Sequence, residues 1–364
     1  MRASVLLSDP TVDADRPSMR PYLVLACVLA VCLAPGRASA GPAEPPPASG
    51  DESSWAADEI RAVVVRGALA TSVETFRPGD PLTRGELYDA LRVLGLRSAQ
   101  PADPDRLVVV TELDAKLVAA VGLNDASRAI RLAVRAAGLA PTSYIGTETV
   151  ARLLGLRINH PQGQEYLELG PREPATRAEA AFSLARALGV TSAQKSDLSG
   201  LASTLVVPQL SVAQQAVLAR ALRFVGYPYV WAGVSERVQV LYTGIAPGGF
   251  DCSGLVWRVY KLPPFAEFPL LGASIKGRTT FSMAAERPKA DRLPLAAAQP
   301  ADLLFFGARG PASAPQDVGH MGIAVAPGWF VHSSGNGVTL QPLRGWYATR
   351  FAWARSPIGE AGLS

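Results

Sequence analysis

The 364-residue chain is poor in cysteine and histidine, with three of each. Two of the cysteines, Cys27 and Cys32, fall inside a thirteen-residue apolar run, Tyr22 to Ala34, behind Arg20. That run is too short to span a bilayer, which needs about 20 apolar residues, but it suits the core of an export signal. It ends at Ala38-Ser39-Ala40, a small-x-small site of the kind signal peptidases accept. An uncleaved membrane anchor is the alternative. Met19 stands just before the charged end of the signal, so residues 1–18 read as an upstream extension. Cleavage after Ala40 would remove both cysteines and leave an exported protein with no membrane span and one thiol, Cys252. A lone thiol in an oxidising compartment has no intramolecular disulfide partner, so it is either incidental or reactive.

Lysine is scarce as well, at five against thirty arginines, and the formal net charge is only +4. No basic cluster stands out, so the footprint of a nucleic-acid partner is missing. Nor is there a close pair of metal ligands. Cys252, His320 and His332 lack the usual zinc spacing, and neither a metal nor a cofactor is expected. Apolar residues make up 48% of the chain, which supports folded domains. The roughly 320 residues left after signal removal exceed one ordinary core, so two domains are expected. The expected order is the export signal with its extension over 1–40 and a flexible Pro-, Ser- and acid-rich linker over 41–54. A helical domain over 55–190, a polar linker over 191–208 and a second domain over 209–364 follow.

Within the helical domain, Trp55 to Leu96 reads helix, loop, helix. Asp58 and Glu59 sit at the end of the first helix where the macrodipole favours negative charge. Phe76-Arg77-Pro78-Gly79-Asp80-Pro81 is a turn. Thr83 and Glu86 then have the spacing of a capping box, and Leu87, Leu91 and Leu94 follow at helical spacing. The pattern returns over Leu169 to Glu179, with Thr176 and Glu179 as the second cap. An eroded third copy is read between them, among helices expected over Thr111 to Leu123 and Thr147 to Leu156. The two Thr-Arg-x-Glu elements resemble surface-layer homology (SLH) repeats, a likeness covering about residues 52–190. It implies that Arg84 and Arg177 contact an anionic secondary cell-wall polysaccharide, with Glu86 and Glu179 shaping the loops. Gly85 replaces the usual alanine. The alternative is a helical spacer whose capping boxes merely start helices.

The second domain carries the reactive residue types. Ser211 caps an amphipathic helix to Val225, which runs into Gly226-Tyr227-Pro228-Tyr229-Val230-Trp231-Ala232-Gly233. Gly249-Phe250-Asp251-Cys252-Ser253-Gly254 precedes an apolar helical run, so Cys252 is expected in the first turn of a helix. There the dipole favours thiolate, the nucleophilic form. Asp251 would oppose that shift if its carboxylate pointed inward; it is expected to cap the helix or turn outward. The base should be a histidine, since no other side chain titrates near neutrality without tuning. Gly319 to Val325 and Trp329 to Ser334 read as a β-hairpin around Ala326-Pro327-Gly328. For His320 and His332 to share a face, cross-strand partners must have an even sum. A two-residue Pro-Gly turn gives an odd sum, so a shared face demands an odd-length loop or a bulge. His160 has no visible chemistry.

Tyr-Pro-Tyr-Val-Trp, Phe-Asp-Cys-Ser-Gly-Leu-Val, Pro-Ala-Asp-Leu-Leu-Phe-Phe and Gly-His-Met-Gly-Ile, with His332 after them, resemble the NlpC/p60 cysteine endopeptidases over about residues 211–357. The resemblance implies a papain-like α+β fold of helices packed on an antiparallel sheet, behind an all-α repeat-like domain. It implies Cys252 as nucleophile, His320 as base, His332 as the orienting residue and Tyr229 as an oxyanion donor. Asp251, Ser253 and Arg278 are candidate substrate contacts, although a solvated loop arginine is the simpler reading of Arg278. The implied activity is metal-free cleavage of peptidoglycan stem peptides, between D-glutamate and diaminopimelate or lysine, by a protein secreted to the cell wall. Ala232 stands where the family has glycine, and Tyr260 to Pro300 is longer than in compact members. An inactive wall-binding protein, or a thiol amidase or acyltransferase on another envelope substrate, are the alternatives.

Overall fold

The computed structural model describes residues 54–262 and 265–363. The export signal, its extension and almost all of the 41–54 linker lie outside them. The first half is helical: α1 (Ala57–Val64), α2 (Arg84–Val93), α3 (Val110–Ala120), α4 (Asn124–Ala136), α5 (Ile145–Leu153), α6 (Arg177–Leu188) and α7 (Ser192–Thr204). The last of these occupies the stretch read as a linker. Its polar composition hid a capping box, Thr191 with Gln194, and two apolar residues, Leu198 and Ala202, that reach the core.

Three turn segments organise this half. Leu82 N–H donates to Ala175 O, Ala175 N–H to Val108 O and Val108 N–H to Leu82 O, which closes a ring. Each segment runs straight into a helix, α2, α3 or α6. The first helical N–H groups, which have no partner inside their own helix, are met by the neighbouring turn. Arg84 N–H reaches Arg106 O, Val110 N–H reaches Glu173 O and Arg177 N–H reaches Asp80 O. The central member of the ring therefore begins at Leu107, with Val109 and Val110 standing where the other two have threonine and arginine.

The second half begins with α8 (Val212–Leu222), capped by Ser211 and Gln214. Two small antiparallel pairs follow, β1 (Val234–Ser235) with β4 (Gly249–Phe250) and β2 (Gln239–Leu241) with β3 (Gly244–Ala246). Next come α9 (Cys252–Tyr260), α10 (Pro269–Ser274) and α11 (Thr280–Ala285). The main sheet is antiparallel with five strands in the order β8-β7-β6-β5-β9: β5 (Leu303–Gly307), β6 (Val318–Ala326), β7 (Trp329–Ser334), β8 (Gly337–Pro342) and β9 (Phe351–Arg355). Short helices α12 (Trp346–Arg350) and α13 (Pro357–Glu360) flank β9.

Alternation along the strands buries both faces of this sheet. Phe305, Met321, Ile323 and Val331 join Leu255, Val256 and Val259 of α9 in one core. Leu304, Phe306, Ala324 and Phe330 form a second, smaller core with Tyr347 and Phe351. The two halves of the chain also touch. Arg152 of α5 donates to the carbonyls of Gly226 and Asn336, and a Cβ at Gly337 would strike its guanidinium.

Candidate active site

Cys252 is the first residue of α9. Asp251 is the N-cap: its carboxylate accepts from the Gly254 N–H and from the Ser253 hydroxyl. Arg278 donates to Asp251, to Ser253 Oγ at 2.8 Å and to Ala232 O at 3.0 Å. Asp251, Ser253 and Arg278 thus come together beside the thiol, bonded mainly to one another. The guanidinium is not a free loop charge; its side chain remains 32% exposed. Ala232, which anchors one end of this clamp, sits at φ +60°, a left-handed conformation that favours glycine.

The cysteine is a buried free thiol, 8% exposed. Burial pushes its pKa up to about 11, and the Asp251 charge adds to the rise. The Thr280 hydroxyl and the backbone N–H groups of Met321 and Ser253 pull it down. Thr280 Oγ1 lies 3.4 Å from Sγ, so the sulfur's side-chain partner is a threonine of α11 rather than a histidine. The thiol comes to β6 at the Met321 amide, one peptide bond from His320.

The histidines do share a face. Pro327-Gly328 is a two-residue turn, and Ala326 pairs with Trp329, an odd sum. A bulge at Val325 then shifts the register to Ala324 with Phe330 and Ile323 with Val331, both even. Continued one step, that register sets Gly322 against His332, with His320 diagonal to it. Any Cβ at Gly322 would overlap the Phe330 ring and crowd His332, so glycine there keeps the space between the rings open. His320 Nε2 lies 2.8 Å from His332 Nδ1. Both rings stand over the smaller core, against Phe306, Phe330 and Tyr347. This is the face opposite the one α9 packs on, and the thiol meets β6 at the backbone of Met321, next to His320 in the chain.

Burial pushes the His320 pKa down to about 4 and holds His332 well below the usual range. The Gln341 side chain favours the protonated form of His332 but makes no normal hydrogen bond to its buried Nε2. Tyr229 is half-buried, its phenol raised by burial and by the neighbouring Cys252 and Asp251. Its backbone pairs with Phe250, two residues before the cysteine, and Ser333, next to His332, donates to Phe250 O at 2.6 Å. Ser333, Thr280 and Gln341 were not singled out in the sequence. Of these, Thr280 falls within the long Tyr260–Pro300 segment.

In the helical half, Arg84 pairs with Asp103 and Glu112 and lines a cleft of about 280 Å³ with Tyr88 and Lys116. Arg177 is interior, 5% exposed, and donates to Phe76 O, Leu69 O and the Glu86 carboxylate. Glu179 is 3% exposed and faces Arg157 at 3.0 Å and His160 at 3.5 Å. Arg177 and Glu179 are both buried, Arg177 bonded to the first turn segment and its flanks and Glu179 turned to Arg157 and His160.

A family model described as NlpC/P60 matches residues 226–356. This segment is an NlpC/P60 family domain. The NlpC/P60 domain is 34% identical over 127 residues to a probable endopeptidase of Mycobacterium tuberculosis, across 35% of this chain and 25% of the relative. Protein P54 of Enterococcus faecium is 29% identical over 144 residues, 39% of this chain and 22% of the relative. The chain thus matches about a quarter of the length of these curated relatives. Among solved structures, the NlpC/p60 domain of the peptidoglycan hydrolase SagA aligns at 24% identity over 39% of this chain and 97% of that chain, with a TM-score of 0.28. A non-catalytic NlpC/p60 domain protein of M. tuberculosis, adapted to peptidoglycan binding, aligns at 25% identity over 40% and 98%, with a TM-score of 0.30. The NlpC/P60 domain has the family's papain-like α+β arrangement, helices on an antiparallel sheet.

Proposed function

We propose that the protein is a secreted peptidoglycan endopeptidase that cuts stem peptides, at a D-glutamyl bond to diaminopimelate or lysine, through Cys252, His320 and His332. The observation that carries this reading is the 2.8 Å hydrogen bond between the histidines, beside a thiol at the start of a helix. With His320 as the base, the tautomers follow from this bond. For His320 Nδ1 to take the thiol proton it must be bare, so Nε2 carries the hydrogen and donates to His332 Nδ1. His332 then holds its own proton on Nε2, and its bare Nδ1 steadies the imidazolium that forms on His320.

With the thiol raised and the imidazole lowered, both rest neutral near pH 7. Cys252 attacks the carbonyl as its proton passes to His320. The Cys252 backbone N–H and the Tyr229 hydroxyl face the oxyanion. His320 returns the proton to the leaving amine, and water resolves the thioester by the same base. Asp251, Ser253 and Arg278 are assigned to holding the helix start rather than to the substrate. We read the three-membered ring as a divergent SLH array that keeps the enzyme at the wall, with Arg84 alone of the two arginines placed to meet a polysaccharide.

Purified sacculi, digested and analysed by mass spectrometry, test the activity: wild type releases cut stem peptides and Cys252→Ala releases none. Cleavage surviving in Cys252→Ala would end the reading. The buried, threonine-bonded sulfur favours a second one, a wall-binding protein without activity. Intact sacculi that nonetheless retain the wild-type protein would select it.

A further inference from the structure

The residue that joins the two halves most directly is Asn159, in the loop after α5. Its Oδ1 accepts the backbone N–H of Tyr229 at 3.0 Å. Its Nδ2 donates to Ser334 O at 3.3 Å and to Gly335 O. The surrounding groups fix the orientation of the amide. Turning it over would set oxygen against two carbonyls and NH2 against an N–H. One side chain of the helical half therefore holds both the segment that carries Tyr229 and the strand end two residues beyond His332. Arg152 grips the same two segments further back, at Gly226 O and Asn336 O. The segments also pair with each other, Gly226 N–H to Val338 O at 3.0 Å and Val338 N–H to Tyr227 O at 2.8 Å.

These contacts have a chemical consequence. Tyr229 follows Pro228, and the sheet contact it makes is an isolated bridge to Phe250. Its own amide hydrogen goes to Asn159, so the helical half sets where this residue's backbone stands relative to Cys252. We infer that Asn159 is a positioning residue for the NlpC/P60 centre, acting through Tyr229, and that the helical half is thereby part of the active site and not only an attachment. This inference rests on the reading that Tyr229 serves the reaction. Hydrogen bonds of this kind hold geometry, and a displacement of about 1 Å at a reacting group costs on the order of a hundredfold in rate.

The test is a double-mutant cycle in the full-length protein on a soluble stem-peptide fragment. Asn159→Ala is expected to lower kcat about tenfold with KM within about twofold, and Tyr229→Phe to lower it at least as much. If Asn159 acts through Tyr229, the double variant is no slower than Tyr229→Phe alone, because the second change has nothing left to displace. Asn159→Asp keeps the acceptor for the Tyr229 amide and, assayed at mildly acidic pH where the carbonyls of Ser334 and Gly335 favour its protonated, donating form, retains more activity than Asn159→Ala. It also serves should the alanine variant fail to fold. Fully additive losses in the cycle, equal losses in both Asn159 variants, or wild-type kcat in Asn159→Ala beside a damaged Tyr229→Phe would overturn the inference. Wild-type kcat in Tyr229→Phe would instead overturn the reading of Tyr229 on which it rests.

Discussion

The protein buries ionisable side chains in two places and treats them in opposite ways. Around His320 and His332 the neighbours are aromatic rings, and burial drives both, like the Cys252 thiol beside Asp251, to the neutral form. In the helical half, Asp114, Glu148, Arg152, Arg157, His160, Glu168 and Glu179 are all at most 6% exposed; burial raises Asp114 and Glu168, but two arginines stand among the carboxylates as countercharges. Arg157 lies 3.7 Å from Asp114 and 3.0 Å from Glu179, and Arg152 lies 3.4 Å from Glu148. Burial works against ionising Glu179, yet Arg157 and His160 hold its pKa below the usual value. Two buried histidine environments thus differ by one ingredient: a compensating countercharge is present beside His160 and missing beside His320. The uncharged pair can carry a proton away and back. The charged cluster can only hold position.

That contrast can be broken from either side. Removing the base is the largest expected effect: His320→Ala should lower kcat about 1,000-fold, roughly 4 kcal/mol of barrier, with the melting temperature unchanged or raised. Initial rates on stem-peptide fragments beside thermal melts check it. Arg157→Met should do the reverse. It leaves Asp114 and Glu179 buried without their cation, which costs about 3 kcal/mol or more of stability. The fraction still folded should keep its kcat, as denaturant melts and active-site titration would show.

The pH dependence separates the two sites more finely. Glu168 is pushed up to about 8 by burial. Its folded pKa is raised, so its contribution is complete below the ordinary glutamate value and is lost as pH rises through 8. His320 is depressed to about 4, so stability falls as pH drops from the ordinary histidine value through 4. Glu168→Gln should flatten the loss between the ordinary glutamate value and pH 8, on the order of 2 kcal/mol, and leave the His320 loss untouched. Melting temperature against pH measures both. The smallest effect is expected at Ala232: glycine relieves the left-handed strain but loosens the unfolded chain, for a net gain of roughly 0.5 kcal/mol by denaturant melts.

Much of the NlpC/P60 centre was legible because its signals are local. The residues around Cys252 announce a helix start, and the Pro-Gly turn with two histidines implies a register offset. Arithmetic demanded a bulge or an odd loop; it could not say that Val325 would be the extra residue. The charged cluster left no trace. Its seven members are spread from Asp114 to Glu179, and nothing in the spacing of 114, 148, 157 and 179 foretells a meeting. Asn159 was silent for the same reason, since its partners lie 70 and 176 residues away. The central turn of the ring was obscured by composition, because valines at 109 and 110 erase the Thr-Arg signature while the backbone pattern persists.

Those valines matter beyond recognition. Two ring arginines each reach across to the glutamate of another member, Arg84 to Glu112 and Arg177 to Glu86. A third arginine at position 110 would complete the cycle by taking Glu179. With valine there, Glu179 is left to Arg157 and His160, and the charged cluster grows from that point towards Arg152 and its hold on Gly226 and Asn336. A perfectly repeated ring would present three equivalent sides and no instruction about where a second fold should attach. Losing a single cation makes one side unlike the others, and the broken symmetry marks the side on which the second half is seated.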